Sequence, residues 1–270
     1  MADTDRERRP AGEVLTTVAD GVGWMTFSHP TRYNAMSFGM VESIPPVLQA
    51  FGADPDVKVV VVTGAGEKAF VSGADISEFG ERRTGPEARA EYDRAQADAE
   101  AAWARLDKPV LAKIRGFCLG GGLRLALQAD IRIAAEGSQF AIPAARLGLG
   151  YGLAAVEQLV QVVGPSWAAE ILFSARRLSG EEALRSGLVN RLVPAEQLDD
   201  LVGALAAGIA ANAPLTLRAA KAAIQETARH RADLDRARIA GLVEACFRSD
   251  DYQEGQRAFL EKRPPVFRGS

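Results

Sequence analysis

The stretch Ile114-Arg115-Gly116-Phe117-Cys118-Leu119-Gly120-Gly121-Gly122-Leu123-Arg124-Leu125-Ala126-Leu127-Gln128-Ala129-Asp130 decides how the chain reads. An apolar strand runs into three successive glycines, and a helical pattern follows at once. The first N–H groups of a helix have no intrahelical acceptor and carry the positive end of its dipole. Such a junction suits a developing negative charge. Arg124 stands one turn into the helix, where proton chemistry beside the glycines calls for an acid.

Outward from this stretch, strands and helices alternate. Val14–Val18 and Val22–Phe27 flank Asp20-Gly21, a hairpin signal. A helix is expected over Phe38–Phe51, with Pro45-Pro46 kinking or restarting it. Val57–Thr63 is a β-branched apolar run typical of a buried strand, and Ala69–Val71 is a second, ending at Gly73-Ala74-Asp75. Pro86–Leu106, rich in alanine and charge, reads as a long helix. Val110–Ile114 is a strand, Gly121–Ala129 a helix, and Ile131–Ala134 and Gln139–Ile142 are strands. The Gly148–Gly152 loop precedes a helix to Val163 that breaks at Gly164-Pro165. Ser179-Gly180-Glu181-Glu182 is a capping box for a short helix ending at Gly187, and Leu188–Val193 is the last strand. From Pro194 onward the pattern is helical, punctuated by Pro214 and Ser249. The expected organisation is a disordered tail over 1–12, an α/β core over 13–195 and a helical region over 196–270.

Bulk properties narrow the function classes. The 270 residues are 47% hydrophobic and 25% charged, with a formal charge of −3. No basic tract of the kind nucleic acids need is present, and no run reaches membrane-spanning length. The charged segment Met1–Pro10 lacks the apolar core of a secretory signal. Cys118 and Cys246 are too few for a disulfide framework and match no metal-binding spacing, so a reducing cytoplasm is the expected setting and no metal is expected.

Several segments in order carry a resemblance. Val59–Thr63-Gly64, Ala69-Phe70-Val71-Ser72-Gly73-Ala74-Asp75-Ile76, Lys108-Pro109-Val110, the glycine triplet through Ala129-Asp130, Leu184…Gly187-Leu188-Val189 and Glu254-Gly255…Ala258-Phe259-Leu260-Glu261-Lys262-Arg263 succeed one another. Together, from about Val14 to Phe267, they resemble the enoyl-CoA hydratase/isomerase, or crotonase, superfamily. The resemblance implies an α/β spiral of ββα units with a C-terminal helical trimerisation region. It also implies an acyl-CoA thioester as ligand, a homotrimer or dimer of trimers, and no cofactor beyond the coenzyme A of the substrate. By motif, the N–H groups of Ala74 and Gly121 form the oxyanion hole for the thioester oxygen. Ala74, Asp75, Ile76 and Ser77, and the loop from Arg32 to Ala35, would contact coenzyme A. Phe259 and Lys262 match positions that touch coenzyme A, often from a neighbouring subunit.

Two fixed N–H donors stabilise the charge built on a thioester oxygen without reorganisation, and losing one costs roughly 10²–10³ in rate. The glycines have a second reading, tight strand–helix packing. In hydratases of the resembled family two glutamates share the proton work. Their matching positions here hold Arg124 and Ala144. Arginine keeps its proton and alanine has none to give, and each lost acid–base group forfeits about 10²–10⁴ in rate. Hydration by that route is therefore expected to be severely impaired. Tyr151 stands where the methylmalonyl-CoA decarboxylase branch carries a tyrosine in a similar loop, although that branch has an acid at the Arg124 position. Arg124 could pair with a substrate carboxylate, or simply form an ion pair or lie in solvent.

The remaining groups invite less. Asp75 is expected to cap the helix starting at Ile76, Glu78 to face solvent or the pocket mouth, and Glu157 to lie on the surface. His29, in a turn, and His230, among charged residues, read as structural or exposed, with no nucleophile triad in sight. Gly64-Ala65-Gly66-Glu67-Lys68-Ala69 has a dinucleotide-like spacing, but a strand and turn follow it where that fingerprint requires a helix.

Overall fold

The structure, a computed structural model, describes residues 12–78, 85–212, 214–228, 244, 247–263 and 265. Most of the expected 1–12 tail, His230 and Cys246 lie outside the described residues. Among the described residues nine strands form two sheets: β1 (Glu13–Ala19), β2 (Val22–Ser28), β3 (Val59–Gly64), β4 (Ala69–Val71), β5 (Val110–Ile114), β6 (Phe117–Leu119), β7 (Ile131–Ala135), β8 (Gln139–Ala141) and β9 (Arg191–Val193). The larger sheet has the order β1-β2-β3-β5-β7-β9, and the smaller has β4-β6-β8. Only β1 and β2 pair antiparallel; every other ladder is parallel. Each pass of the chain lays one strand in the large sheet and the next in the small one, as β3 and β4, β5 and β6, and β7 and β8 do. The result is a spiral of ββα units.

The helices are α1 (Phe38–Ala53), α2 (Pro86–Arg105), α3 (Gly121–Leu127), α4 (Leu153–Ser174), α5 (Gly180–Arg185), α6 (Leu198–Ala210), α7 (Pro214–Ala228) and α8 (Asp250–Leu260). The β1–β2 hairpin closes through Asp20 and Gly21, both at positive φ (51° and 80°), the pair of left-handed residues that a two-residue turn needs. Alternation along β3 divides the core. Val60 and Val62 face a large cluster with Met25, Phe51 and Phe70, while Val59 and Val61 meet Leu198, Val202 and Ala206 of α6. The first helix of the expected C-terminal region thus covers one face of the central sheet. Asp130 fastens the next: its carboxylate accepts from Val110 N at 2.7 Å and from Lys221 Nζ of α7 at 3.0 Å.

Several boundaries differ from expectation. α1 is not interrupted at Pro45-Pro46. Its inner face (Met40, Val41, Ile44, Leu48 and Phe51) is buried, and Pro46 is exposed on the opposite side. Packing therefore offsets the roughly 3 kcal/mol that an internal proline costs. α3 stops at Leu127 and β9 starts only at Arg191. In α4 the break falls at Gly164 (φ 73°, ψ 167°), and the helix resumes through Pro165 to Ser174. The capping box before α5 is present in both directions between Ser179 and Glu182.

Candidate active site

The glycine triplet joins β6 to α3, and its three members serve different ends. Gly120 holds φ 52°, ψ −114°, which turns the strand directly into the helix. A Cβ on Gly122 would stand 2.0 Å from the Val71 carbonyl oxygen, so α3 can sit on β4 only with glycine there. A Cβ on Gly121 would lie 3.6 Å from Ala74 N, in the gap between two amide groups. Close packing and amide exposure, alternatives in the sequence, are thus assigned to different glycines.

Ala74 is positioned from the other side. Met36 N donates to Gly73 O and Asp75 N donates to Met36 O, each at 2.8 Å. In such a parallel bridge the N–H of the intervening Ala74 faces away from Met36. Neither the Ala74 nor the Gly121 N–H has an acceptor among the described residues, and both residues line a cavity of about 700 Å³. The Asp75 carboxylate braces this loop. It accepts from Arg32 Nη1 at 2.6 Å, Ser77 N at 3.0 Å and Ser77 Oγ at 2.8 Å, and His29 Nε2 lies 3.5 Å away. Asp75 thus caps the short 3₁₀ turn Ile76–Glu78, and His29 is buried and structural. Glu78 is half-buried and does not line the cavity, and its carboxylate accepts from Phe38 N at 2.7 Å and so caps α1.

Arg32, Ala35, Ala74, Asp75, Ile76 and Gly121 all line the cavity. Ser77, turned onto Asp75, does not, and the exposed Lys262 also lies outside the lining of the single chain. Phe259 reaches the cavity from its own chain, because α8 packs on the 3₁₀ turn Pro143–Leu147 through Gly255, where a Cβ would meet Leu147 O at 2.3 Å.

Arg124, Ala144 and Tyr151 also line the cavity. Ala144 is buried and presents only a methyl group. Arg124 is ion-paired with Glu100 of α2, and its Nη1 donates to Gln96 Oε1 at 3.5 Å. Burial pushes the Tyr151 phenol above its ordinary range, and the nearby Arg124 charge opposes this, so the hydroxyl is kept protonated at neutral pH. Burial likewise raises the Cys118 thiol, which excludes a thiolate nucleophile there. Glu100 is the residue that sequence reasoning missed. The signal was available: Tyr92, Gln96 and Glu100 recur every four residues along α2 and share the face that lines the cavity. Glu157 is partly buried and does not line it.

Paired amides without acceptors among the described residues open into a cavity, on a frame of two sheets wound by ββα units, an arrangement suited to an oxygen that gains negative charge. The chain belongs to the enoyl-CoA hydratase/isomerase family, whose description matches residues 17–270. It is 36% identical over 242 residues to a crotonyl-CoA hydratase of Syntrophomonas wolfei, covering 89% of this chain and 92% of that protein. An enoyl-CoA hydratase/carnithine racemase structure from Magnetospirillum magneticum superposes with a TM-score of 0.78 at 34% identity, covering 95% and 96% of the two chains. A methylmalonyl-CoA decarboxylase in complex with 2-nitronate-propionyl-CoA superposes with a TM-score of 0.87 at 27% identity, covering 96% and 99%.

Proposed function

We propose that the chain binds an acyl-CoA thioester and stabilises its enolate through the N–H groups of Ala74 and Gly121. The observation that carries this reading is the pair of acceptor-free amides meeting at one end of the cavity. As the carbon beside the thioester loses a proton or a carboxylate, the electron pair left behind moves toward the carbonyl oxygen. Two preorganised donors lower the energy of that oxyanion. Arg32, Ala35, Asp75 and Ile76 are assigned to the coenzyme A side of the hole, with Phe259 closing over it. Ser77 steadies Asp75, and Lys262 is assigned to contacts outside the single-chain cavity. No cofactor is required beyond the coenzyme A carried by the substrate. Assembly as a homotrimer or dimer of trimers accords with the exposed apolar side chains of Phe173, Ile224 and Leu260. Sedimentation tests it, and a monomer would count against it.

The two-glutamate hydration route does not fit the residues, since Arg124 is engaged with Glu100 and Ala144 has no proton-bearing group. A decarboxylation reading is favoured by one further observation, the Tyr151 phenol on the cavity wall, where burial favours its protonated form. In that step the C–CO₂ bond breaks and its electron pair enters the thioester enolate. CO₂ departs, and a proton donor such as Tyr151 then supplies the carbon. The deciding experiment is a panel of enoyl-, 3-hydroxyacyl- and malonyl-type CoA thioesters, measured for binding and turnover. Turnover of a malonyl-type member supports decarboxylation. Tight binding with no turnover of any member leaves a non-catalytic acyl-CoA-binding protein, and no binding sinks the reading.

A further inference from the structure

Beyond the hole, the cavity wall is largely apolar, with Val41, Ile44, Trp103 and Leu149 among its residues, and it is interrupted by a charged patch at Arg124 and Glu100. Arg124 lies three residues past Gly121, about 4.5 Å further along α3. Its guanidinium joins Glu100 and Gln96, and Gln96 Nε2 donates in turn to Tyr92 Oη at 3.1 Å. The side chains of Arg124 and Glu100 keep 28% and 34% of their surface exposed, so the pair has hydrogen-bonding capacity left for a ligand. Charge around the cavity is balanced as well. Its three lining cations each have a carboxylate partner: Arg32 with Asp75 at 2.6 Å, Arg89 with Asp93 at 3.9 Å, and Arg124 with Glu100.

A saturated tail laid on this patch would strip water from a guanidinium and a carboxylate and return no hydrogen bond, which is unfavourable. A terminal carboxylate would meet Glu100 as well as Arg124 and would have to displace it. A hydroxyl satisfies both partners, accepting from Arg124 and donating to Glu100. Resting on the acyl-CoA reading above, we infer that the cavity selects an uncharged acyl group bearing a hydroxyl beyond the reacting carbons, held between Arg124 and Glu100. Glu100 and Arg124 are then specificity-determining residues.

The test is competition binding of hexanoyl-CoA, ω-hydroxyhexanoyl-CoA and adipoyl-CoA to the full chain. Wild type should bind the hydroxylated ligand about tenfold tighter than hexanoyl-CoA, or more, because hydrogen bonds to charged groups carry that magnitude. The double variant Glu100→Leu with Arg124→Leu should reverse the order. Should that variant fail to fold, Arg124→Gln, which removes the charge but keeps hydrogen bonding, should shrink the preference without abolishing it. Equal or tighter binding of hexanoyl-CoA by wild type overturns the inference. So does adipoyl-CoA as the tightest ligand, or a preference unchanged in the folded variants. Failure of all three thioesters and of free coenzyme A to bind overturns the acyl-CoA reading itself, and is distinguishable because nothing then binds.

Discussion

At the Gly73–Asp75 and Gly120–Gly122 end the cavity is lined by backbone, whereas at the Glu100–Arg124 end it is lined by side chains reaching across from two helices. The first end is fixed by main-chain geometry: a bridge to Met36, a left-handed Gly120 and the Val71 carbonyl against Gly122. Substitution there acts by breaking the fold, as at Gly122, or by filling the gap between the two amides, as at Gly121. The second end depends on the chemistry of each side chain, so one change of residue alters what the cavity can do. On the proposed reading, charge stabilisation can be retained while proton-transferring groups are exchanged, because the two functions rest on different parts of the polypeptide.

The strongest way to sharpen this contrast is to restore the side-chain end. Arg124→Glu with Ala144→Glu should raise crotonyl-CoA hydration by about 10²-fold or more over wild type, in line with the worth of acid–base groups. If wild type already hydrates crotonyl-CoA as fast as the double variant, the assignment of these two positions fails. The backbone end should break rather than adjust. Gly122→Ala places a methyl against the Val71 carbonyl and should cost more than about 3 kcal/mol in thermal or denaturant unfolding. Unchanged stability would show that α3 can lift off β4 freely. Tyr151→Phe removes one oxygen and keeps the ring packing. Turnover of a malonyl-type thioester should fall by about 10²-fold with binding nearly unchanged; equal turnover would remove the phenol from the chemistry.

The smallest effect lies outside both ends and serves as their control. The Glu182 carboxyl, hydrogen-bonded to Arg176 and to the Ser179 amide, is held down at about 2. A depressed acid stabilises the fold above its unfolded value and loses that contribution as pH falls through the folded one. Wild type should lose a modest increment of stability from about pH 4.5 toward pH 2 that Glu182→Gln lacks, a difference read by unfolding at each pH. Parallel curves for the two proteins would contradict the capping role.

Elements set by local rules were legible before the structure: the Asp20-Gly21 turn, the buried valine run of β3, and the Ser179–Glu182 box. The glycine-made end was legible for the same reason, since conformations that exclude other residues leave a mark in sequence. Pro45-Pro46 misled because a local cost was outweighed by burial of the opposite helix face, which is a tertiary fact. Glu78 and Glu100 escaped for a related reason. The first caps a helix 40 residues before it, and the second pairs with Arg124 of another helix; the spacing of Tyr92, Gln96 and Glu100 marks a shared helix face but not the partner that face meets.

The seat of Gly255 on the Leu147 carbonyl makes the last helix a gauge of the cavity it closes. Phe259 of α8 lines the cavity, so on the proposed acyl-CoA reading α8 should detach more readily from an empty pocket than from a filled one. Amide exchange along residues 250–260 should then slow by the factor 1 + [L]/Kd as ligand is added. The C-terminal backbone would thereby report occupancy for any compound, reactive or inert.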